Sequence, residues 1–473
     1  MLTNSLNVVS AVAGLTGVST HVLLYRHGEW DVKAPSVVIN YAILAAILNF
    51  RLYEETAKLH EKYGDYVRIG PSELSVTDPT AVKLFYSSLA TAHKGPWYNC
   101  LEPRVSLQTD RDKASHARRR KVWDQGFSSQ ALRDYEPRVA HYAAQLIQAI
   151  EKAATKPMNM TQWFNYYSMD VMGDLSLGRS FDLVADGEDK YFLTQLHADM
   201  KMIGLFSHLM WLFPFFKRIP GINADYLKFW KWLGDHVDHR MKNAPSRPDV
   251  FSWLLNAFEQ TSKTKQDLLN LHGDTYLISV AGSDTTAATM TNVFYELAKD
   301  LPLQRALQAE LDALPDISTD QLSGLKFLDA IINETLRLHP LIPSGLQRMT
   351  PRQGIQIGDT YIPGDVMVAM PMHTLFRDER VFGRPNEFVP ERWTTEPELI
   401  KDASAFIPFG AGPYVCVGKQ LAFMEIRRVT AEILTRYDVS FAPEYNEASF
   451  WKGKQDAFTL VAAPMEMVFN ERK

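Results

Sequence analysis

The stretch Phe409-Gly-Ala-Gly-Pro-Tyr-Val-Cys416-Val-Gly418 constrains this chain more than its composition does. It sets one of only two cysteines in a glycine-rich turn that runs directly into the helical pattern Lys419-Gln-Leu-Ala-Phe-Met-Glu-Ile-Arg427. A thiol at a helix N-terminus meets the positive end of the dipole and free backbone N–H groups, and both favour thiolate. Glycine lets the backbone pass close to something flat and bulky, and Phe409 can cover one side of it. A single axial thiolate for a haem iron needs that arrangement. The same residues also read as a buried structural cysteine beside an ordinary helix cap. On this segment alone both readings stand.

At 473 residues the chain has room for two domains or one large fold. Apolar residues at 46% and charged residues at 22% provide ample core, and a net charge of −5 gives no case for nucleic-acid binding. Two cysteines, Cys100 and Cys416, cannot build a disulfide framework, which fits a reducing compartment.

The N-terminus departs from globular composition. Leu6 to Tyr25 carries no Lys, Arg, Asp or Glu and is long enough to cross a bilayer. After a charged turn, Ala34 to Phe50 is a second, shorter apolar run. A basic leader and a small-residue cleavage site are both lacking, so residues 1–50 read as a retained membrane anchor with one or two transmembrane segments, about 6–25 and 34–50. A pair of buried core helices is the alternative. Arg51, Lys58 and Lys62 put the following domain on the cytoplasmic side.

From residue 51 to 473 the pattern carries no linker and no fixed-period repeat. Leu52–Tyr63 reads as an amphipathic helix ended by Gly64, followed by strands at Asp65–Ile69 and Glu73–Val76. Helical periodicity then covers Ser129–Ala154, Met160–Ser176, Lys190–Leu212, Asp267–Asp300, Pro302–Ala313, Leu325–Leu338 and Cys416–Tyr437, with strand signals in Ile355–Met370. Mainly α with a small β portion, in a single large domain, is the expected fold class.

Two more runs carry chemistry. Ala281-Gly-Ser-Asp284-Thr285-Thr286 sits in the middle of the longest helical pattern, where such residues are poor for stability. Hydroxyl groups there bond back to carbonyls and can open a groove, and an acid beside a hydroxyl forms a short proton relay. A kinked core helix with a solvated Asp is the plainer reading. Glu334-Thr-Leu-Arg337 sets an acid and a guanidinium on one helix face, and Arg392, in Pro390-Glu-Arg-Trp393, can complete a buried Glu–Arg–Arg cluster.

Taken in order and spacing, these four segments resemble the cytochrome P-450 family of haem-thiolate monooxygenases, over residues 51–473. The wording around Cys416, with Tyr25-Arg-His-Gly-Glu-Trp-Asp31, is similar to filamentous-fungal members of the tryprostatin B hydroxylase type. The resemblance implies the cytochrome P-450 fold, with haem b (iron protoporphyrin IX) held by Cys416 as the axial iron ligand. Phe409, Gly410 and Gly418 would shape the ligand loop. Asp284 and Thr285 would deliver protons to dioxygen, and Glu334, Arg337 and Arg392 would form a structural triad.

Two positions depart from the family pattern. The basic residue expected two places before the cysteine is Tyr414, and the tryptophan expected four places before Arg120 is His116. Contacts to the haem propionates are therefore expected from His116, Arg120, Arg348 and Tyr414. The resemblance further implies an NADPH–cytochrome P-450 reductase, with cytochrome b5 as a second possible donor, docking near Arg119, Lys121 and Lys419. The expected setting is the endoplasmic reticulum membrane, with the catalytic domain cytosolic. The segment Met200–Trp232 is expected to roof the pocket. The expected reaction hydroxylates an apolar small molecule in fungal secondary metabolism, such as an alkaloid, terpenoid or polyketide. Epoxidation, desaturation or ring coupling use the same oxidant, and a haem-thiolate isomerase or sensor is the competing class.

Overall fold

The structure, a computed structural model, describes residue 43 and residues 45–472, apart from 71, 208–212, 214–216, 220, 222, 244 and 246. The helices used below are α1 (Leu52–Tyr63), α2 (Lys113–Gly126), α3 (Ser129–Ala153), α4 (Met160–Leu177), α5 (Tyr191–Phe206), α6 (Ala224–Lys242), α7 (Lys265–Lys299), α8 (Lys326–Leu338) and α9 (Lys419–Leu434). Side-chain caps fix several starts: Asp112 accepts from Ser115 N–H, Ser128 from Ala131 N–H, and Thr264 forms a reciprocal box with Asp267. At the other end of α4, Gly178 takes the left-handed conformation that stops a helix.

The long helix α7 is buried over most of its length and packs chiefly along α4, while α9 packs on α3 and also touches α7. These helices enclose the main core, with Phe164, Phe294, Val293, Leu328, Ile331, Ile426 and Val429 at its centre. A smaller core lies under a four-stranded sheet, β1 (Tyr66–Gly70), β2 (Glu73–Val76), β3 (Gln347–Met349) and β4 (Met367–Ala369), ordered β1-β2-β4-β3. The β2–β4 pair is parallel and the outer two pairs are antiparallel.

Most boundaries agree with the periodicity within a few residues. Three differ. The pattern through Tyr437 ends as a helix at Leu434, and Tyr437–Phe441 is a strand paired with Glu466–Glu471. Helices α2 and α6 are additional, because charged and aromatic residues blur their apolar faces. The expected Lys190–Leu212 helix is described from Tyr191 to Phe206, and residues 208–212 lie outside the described set.

The first expected span, 6–25, lies outside the described residues, as does most of 34–50. Of the latter, Ala46 is buried, and Ile43 and Ile47 cluster with Leu52, Leu59, Val67 and Ile69 of the body. Among the described residues no helix is long and apolar enough to cross a membrane.

Candidate active site

The loop before α9 is shaped by two glycines in the left-handed region, Gly410 (φ 69°) and Gly412 (φ 64°). At Gly412 a Cβ would sit 2.4 Å from the Tyr86 carbonyl oxygen, so the position excludes every side chain on two grounds. The Cys416 N–H donates to the Phe409 carbonyl at 2.8 Å and closes the loop over itself. Cys416 is surrounded by protein mass, yet it is exposed, because it lines a cavity in the fold. Burial pushes its thiol up; the Gly418 N–H, Arg120, the Lys419 N–H and the Lys419 charge all act the other way.

The cavity is about 290 Å³ in volume. Its walls include Phe409, Gly410, Tyr414, Cys416 and Gly418 from the loop, Ala281, Gly282 and Thr285 from α7, and Leu341, Leu346 and Arg348 from the segment after α8. Met200 and Ile203 of α5 also line it, as expected of the 200–232 region; Trp211, Phe215 and Phe216 in that region lie outside the described residues. The remaining lining is mostly apolar, including Leu107, Met172, Leu277 and Val280.

Helix α7 runs without interruption past this wall. Its hydroxyls bond back as expected: Ser279 to the Thr275 carbonyl, Ser283 to Ser279 and Thr285 to Ala281, the last at 2.6 Å. This loads the carbonyls without breaking the ladder. A Cβ on Gly282 would fall 2.6 Å from the Met172 side chain, so glycine brings α4 and α7 together there. Thr285 borders the cavity, whereas Asp284, about 100° around the helix, turns to α5. There its Oδ1 lies 3.3 Å from His197 Nε2. Burial would lower the His197 pKa, but the Asp284 bond outweighs it and the imidazole is held above its ordinary value.

Another part of the lining is cationic. Arg348 on β3 is buried, donates from Nη1 to Tyr98 Oη at 2.6 Å and to the Gln347 carbonyl, and lies 5.1 Å from the Tyr414 ring. The His116 ring packs edge-on against Tyr414 at 4.7 Å, and burial, with Lys94 next in effect, pushes its pKa down to about 4. Arg120 donates from Nη1 to the Val415 carbonyl at 2.5 Å and from Nε to Asp124, which ties α2 to the cysteine loop. The expected group His116, Arg120, Arg348 and Tyr414 is therefore one wall of one cavity. Lys94 and Tyr98 belong to it too.

The Glu334–Arg337–Arg392 cluster is fully buried. Glu334 Oε1 accepts from Arg337 Nη2 (2.8 Å) and the Val389 N–H (2.8 Å), and Oε2 from Arg337 Nε, Arg392 Nε and Trp393 Nε1. Arg337 gives its remaining donors to the carbonyls of Phe376, Pro385 and Glu387. Of the expected docking cations, Lys121 and Lys419 are exposed, but Arg119 spends its charge on Asp274 (2.7 Å) and Asp110 (3.4 Å) and does not face outward.

The sequence matches the cytochrome P-450 family over residues 35–468. It is similar to a cytochrome P-450 monooxygenase of Fusarium pseudograminearum, 49% identical over 97% of this chain and 85% of that protein. A second such monooxygenase, from Eupenicillium brefeldianum, is 47% identical over 97% of this chain and 95% of that protein. Tryprostatin B 6-hydroxylase of Aspergillus fumigatus is 37% identical over 97% of this chain and 84% of that protein. Matching nearly end to end, the chain belongs to the cytochrome P-450 family, as an oxygen-incorporating, haem-dependent monooxygenase supplied with electrons by a redox partner.

Proposed function

We propose that this enzyme hydroxylates an apolar small molecule in fungal secondary metabolism. Its haem would be haem b with Cys416 as the axial ligand, and its electrons would come from NADPH through NADPH–cytochrome P-450 reductase, with cytochrome b5 as a second donor. The observation that carries this reading is one cavity bounded by Cys416, by Thr285 of α7 and by a buried cationic wall. The donor set fits the group. A soft sulfur faces the cavity, and Arg348 Nε is buried without a hydrogen-bond partner among the described residues. At Gly418 a Cβ would meet nothing closer than 3.8 Å, in Phe127. His116, Arg120, Arg348 and Tyr414 would hold the propionates.

When bound, the haem supplies dioxygen activation and insertion of one oxygen atom into a carbon–hydrogen bond. The chain's own part is binding, orientation and protons. Thr285 gives its hydroxyl hydrogen to Ala281, so its oxygen faces the cavity as an acceptor that orders water. Asp284 passes protons toward that water from the α5 side, where His197 holds its carboxylate between transfers. The apolar lining excludes bulk water and selects an apolar substrate. The 1–50 segment would anchor the enzyme in the endoplasmic reticulum membrane with the catalytic domain cytosolic, and exposed Lys121 and Lys419 would meet the reductase. A haem-thiolate isomerase would not need the acid–hydroxyl pair on α7.

Expression with a fungal reductase, followed by product profiling on candidate apolar metabolites, tests the reading. Substrate-dependent NADPH oxidation with a hydroxylated product is expected, and Cys416→Ser should lose both the thiolate-type Soret band with carbon monoxide and the product. Full activity in Cys416→Ser would sink the ligand assignment.

A further inference from the structure

We propose that the stacked rings of Trp97 and Phe458 form a door to the cavity and select substrates that carry a planar aromatic ring. The inference deepens the reading above and rests on it. A second, smaller pocket of about 40 Å³ lies beside the cavity, bordered by Ile47 and Leu52 and by the half-buried Ser207, Ser344 and Gln347. Among the described residues, Trp97 and Phe458 alone line both spaces. Their rings stack 4.5 Å apart at 21° and so stand between the two. The outer pocket has room for a few waters only. A substrate entering on this side must therefore part the rings.

The backbone shows why a phenyl ring stands there. Ala457 and Thr459 pair across the hairpin of strands Gln455–Ala457 and Thr459–Val461, which leaves Phe458 alone to turn the chain. It does so at φ 75°, in the region that favours glycine and strains a bulky side chain. Glycine would make the turn without strain, but it would bring no ring to Trp97. The tip cannot retreat. Leu460 N–H donates to the Leu341 carbonyl and Asp456 N–H to the Phe50 carbonyl, both at 2.8 Å. Gly204 of α5 lies so close behind that a Cβ there would fall 2.7 Å from Ala457 Cα. Trp97 is the leaf that moves. It sits in the short turn Pro96–Asn99, and its side chain has one polar tie among the described residues, a long bond from Nε1 to Ser207 Oγ at 3.4 Å. Stacking favours the closed pair over the parted one by roughly tenfold, so the door opens thermally. A planar aromatic guest restores the lost ring contact as it slides between the two. A saturated guest of the same size restores nothing, and the discrimination is of the same order.

The test uses the full chain loaded with haem and reads, by stopped flow, the rate of the haem-band change on adding a ketone. The probes are acetophenone and cyclohexyl methyl ketone, equal in heavy atoms and different in ring planarity. Acetophenone should enter the unsubstituted protein roughly tenfold faster than its saturated counterpart. Phe458→Gly should admit the saturated ketone roughly tenfold faster and abolish the difference, because it removes the ring. Glycine also suits the backbone there, so the thermal midpoint of Phe458→Gly should lie above that of Phe458→Ala, which keeps the strain. Phe458→Tyr keeps the stack and should keep the difference. Loss of packing alone would speed both probes alike. Equal entry of the two probes into the unsubstituted protein, entry of neither, or a difference that survives Phe458→Gly overturns the proposal. Haem uptake without the thiolate-type Soret band with carbon monoxide would instead strike the Cys416 reading, and leave the rate comparison standing.

Discussion

Glu334 and Glu425 are both buried carboxyl groups, and their neighbours give them opposite characters. Glu334 accepts five hydrogen bonds, four of them from Arg337, Arg392 and Trp393 side chains. Glu425, on α9 and bordering the cavity, has an Oε2 without a partner among the described residues, and burial alone holds it well above the carboxylate range. Glu334→Gln should therefore cost roughly 3–5 kcal/mol by leaving two guanidinium groups buried and uncompensated. Glu425→Gln, close in shape and charge to a protonated acid, should cost under about 1 kcal/mol. Denaturant unfolding of the two variants compares them directly. A second contrast lies on α7. Asp284→Asn should slow product formation roughly 100-fold, as loss of a general acid does, with haem content unchanged; single-turnover product yield is the measurement. The i,i+3 spacing of Glu334 and Arg337 is visible in sequence. The turn of Asp284 toward His197 is not, because it depends on where α5 crosses α7.

At the scale of elements, the glycines of the cysteine loop differ from glycines that merely turn the chain. Gly412→Ala combines a positive φ with a backbone atom 2.4 Å from the new Cβ, and should cost roughly 3 kcal/mol or more. Gly358→Ala, in the exposed turn between strands Ile355–Ile357 and Thr360–Ile362, has the same sign of φ but nothing within 4 Å. It should cost only about 1 kcal/mol. Thermal unfolding midpoints separate the two. The long helix α3 was readable from apolar periodicity because one face is buried along its length, whereas α4 and α7, buried on most sides, were readable from the length of their apolar runs. The pairing of β2 with β4 was not, since it joins segments nearly three hundred residues apart through a parallel register that no local pattern encodes.

Over the whole molecule, the cationic wall gives stability a pH dependence. In the unfolded chain Lys94 keeps its ordinary value near 10.5, and in the fold it is held at about 7. Between those values the unfolded state binds more protons, so stability of the haem-free protein rises with pH and is lost as pH falls toward 7. The limiting slope for one proton is about 1.4 kcal/mol per pH unit. Lys454, also held well below its ordinary value, adds the same sign in every variant. Urea titrations from pH ~7 to ~8.5, a window in which unfolded thiols contribute equally to both proteins, should therefore show a steeper rise for the unsubstituted protein than for Lys94→Met. The four sequence segments that carry the family resemblance located a wall of the cavity, the cysteine loop and the buried Glu–Arg–Arg cluster. They do not reach His197 and Glu425, because each is recruited by tertiary contact and neither by spacing along the chain.

Ile43 and Ile47 are packed beneath α1 and β1, and the Phe50 carbonyl accepts from the Asp456 N–H at 2.8 Å. This decides where the chain can be cut for recombinant work. A protein beginning at residue 51 discards two isoleucines whose burial is worth roughly 1.5–3 kcal/mol each. It also strips the partner from the Asp456 amide, in the middle of the strand Gln455–Ala457. A protein beginning a few residues before Ile43 keeps them all, and its unfolding midpoint should lie clearly above that of the shorter one.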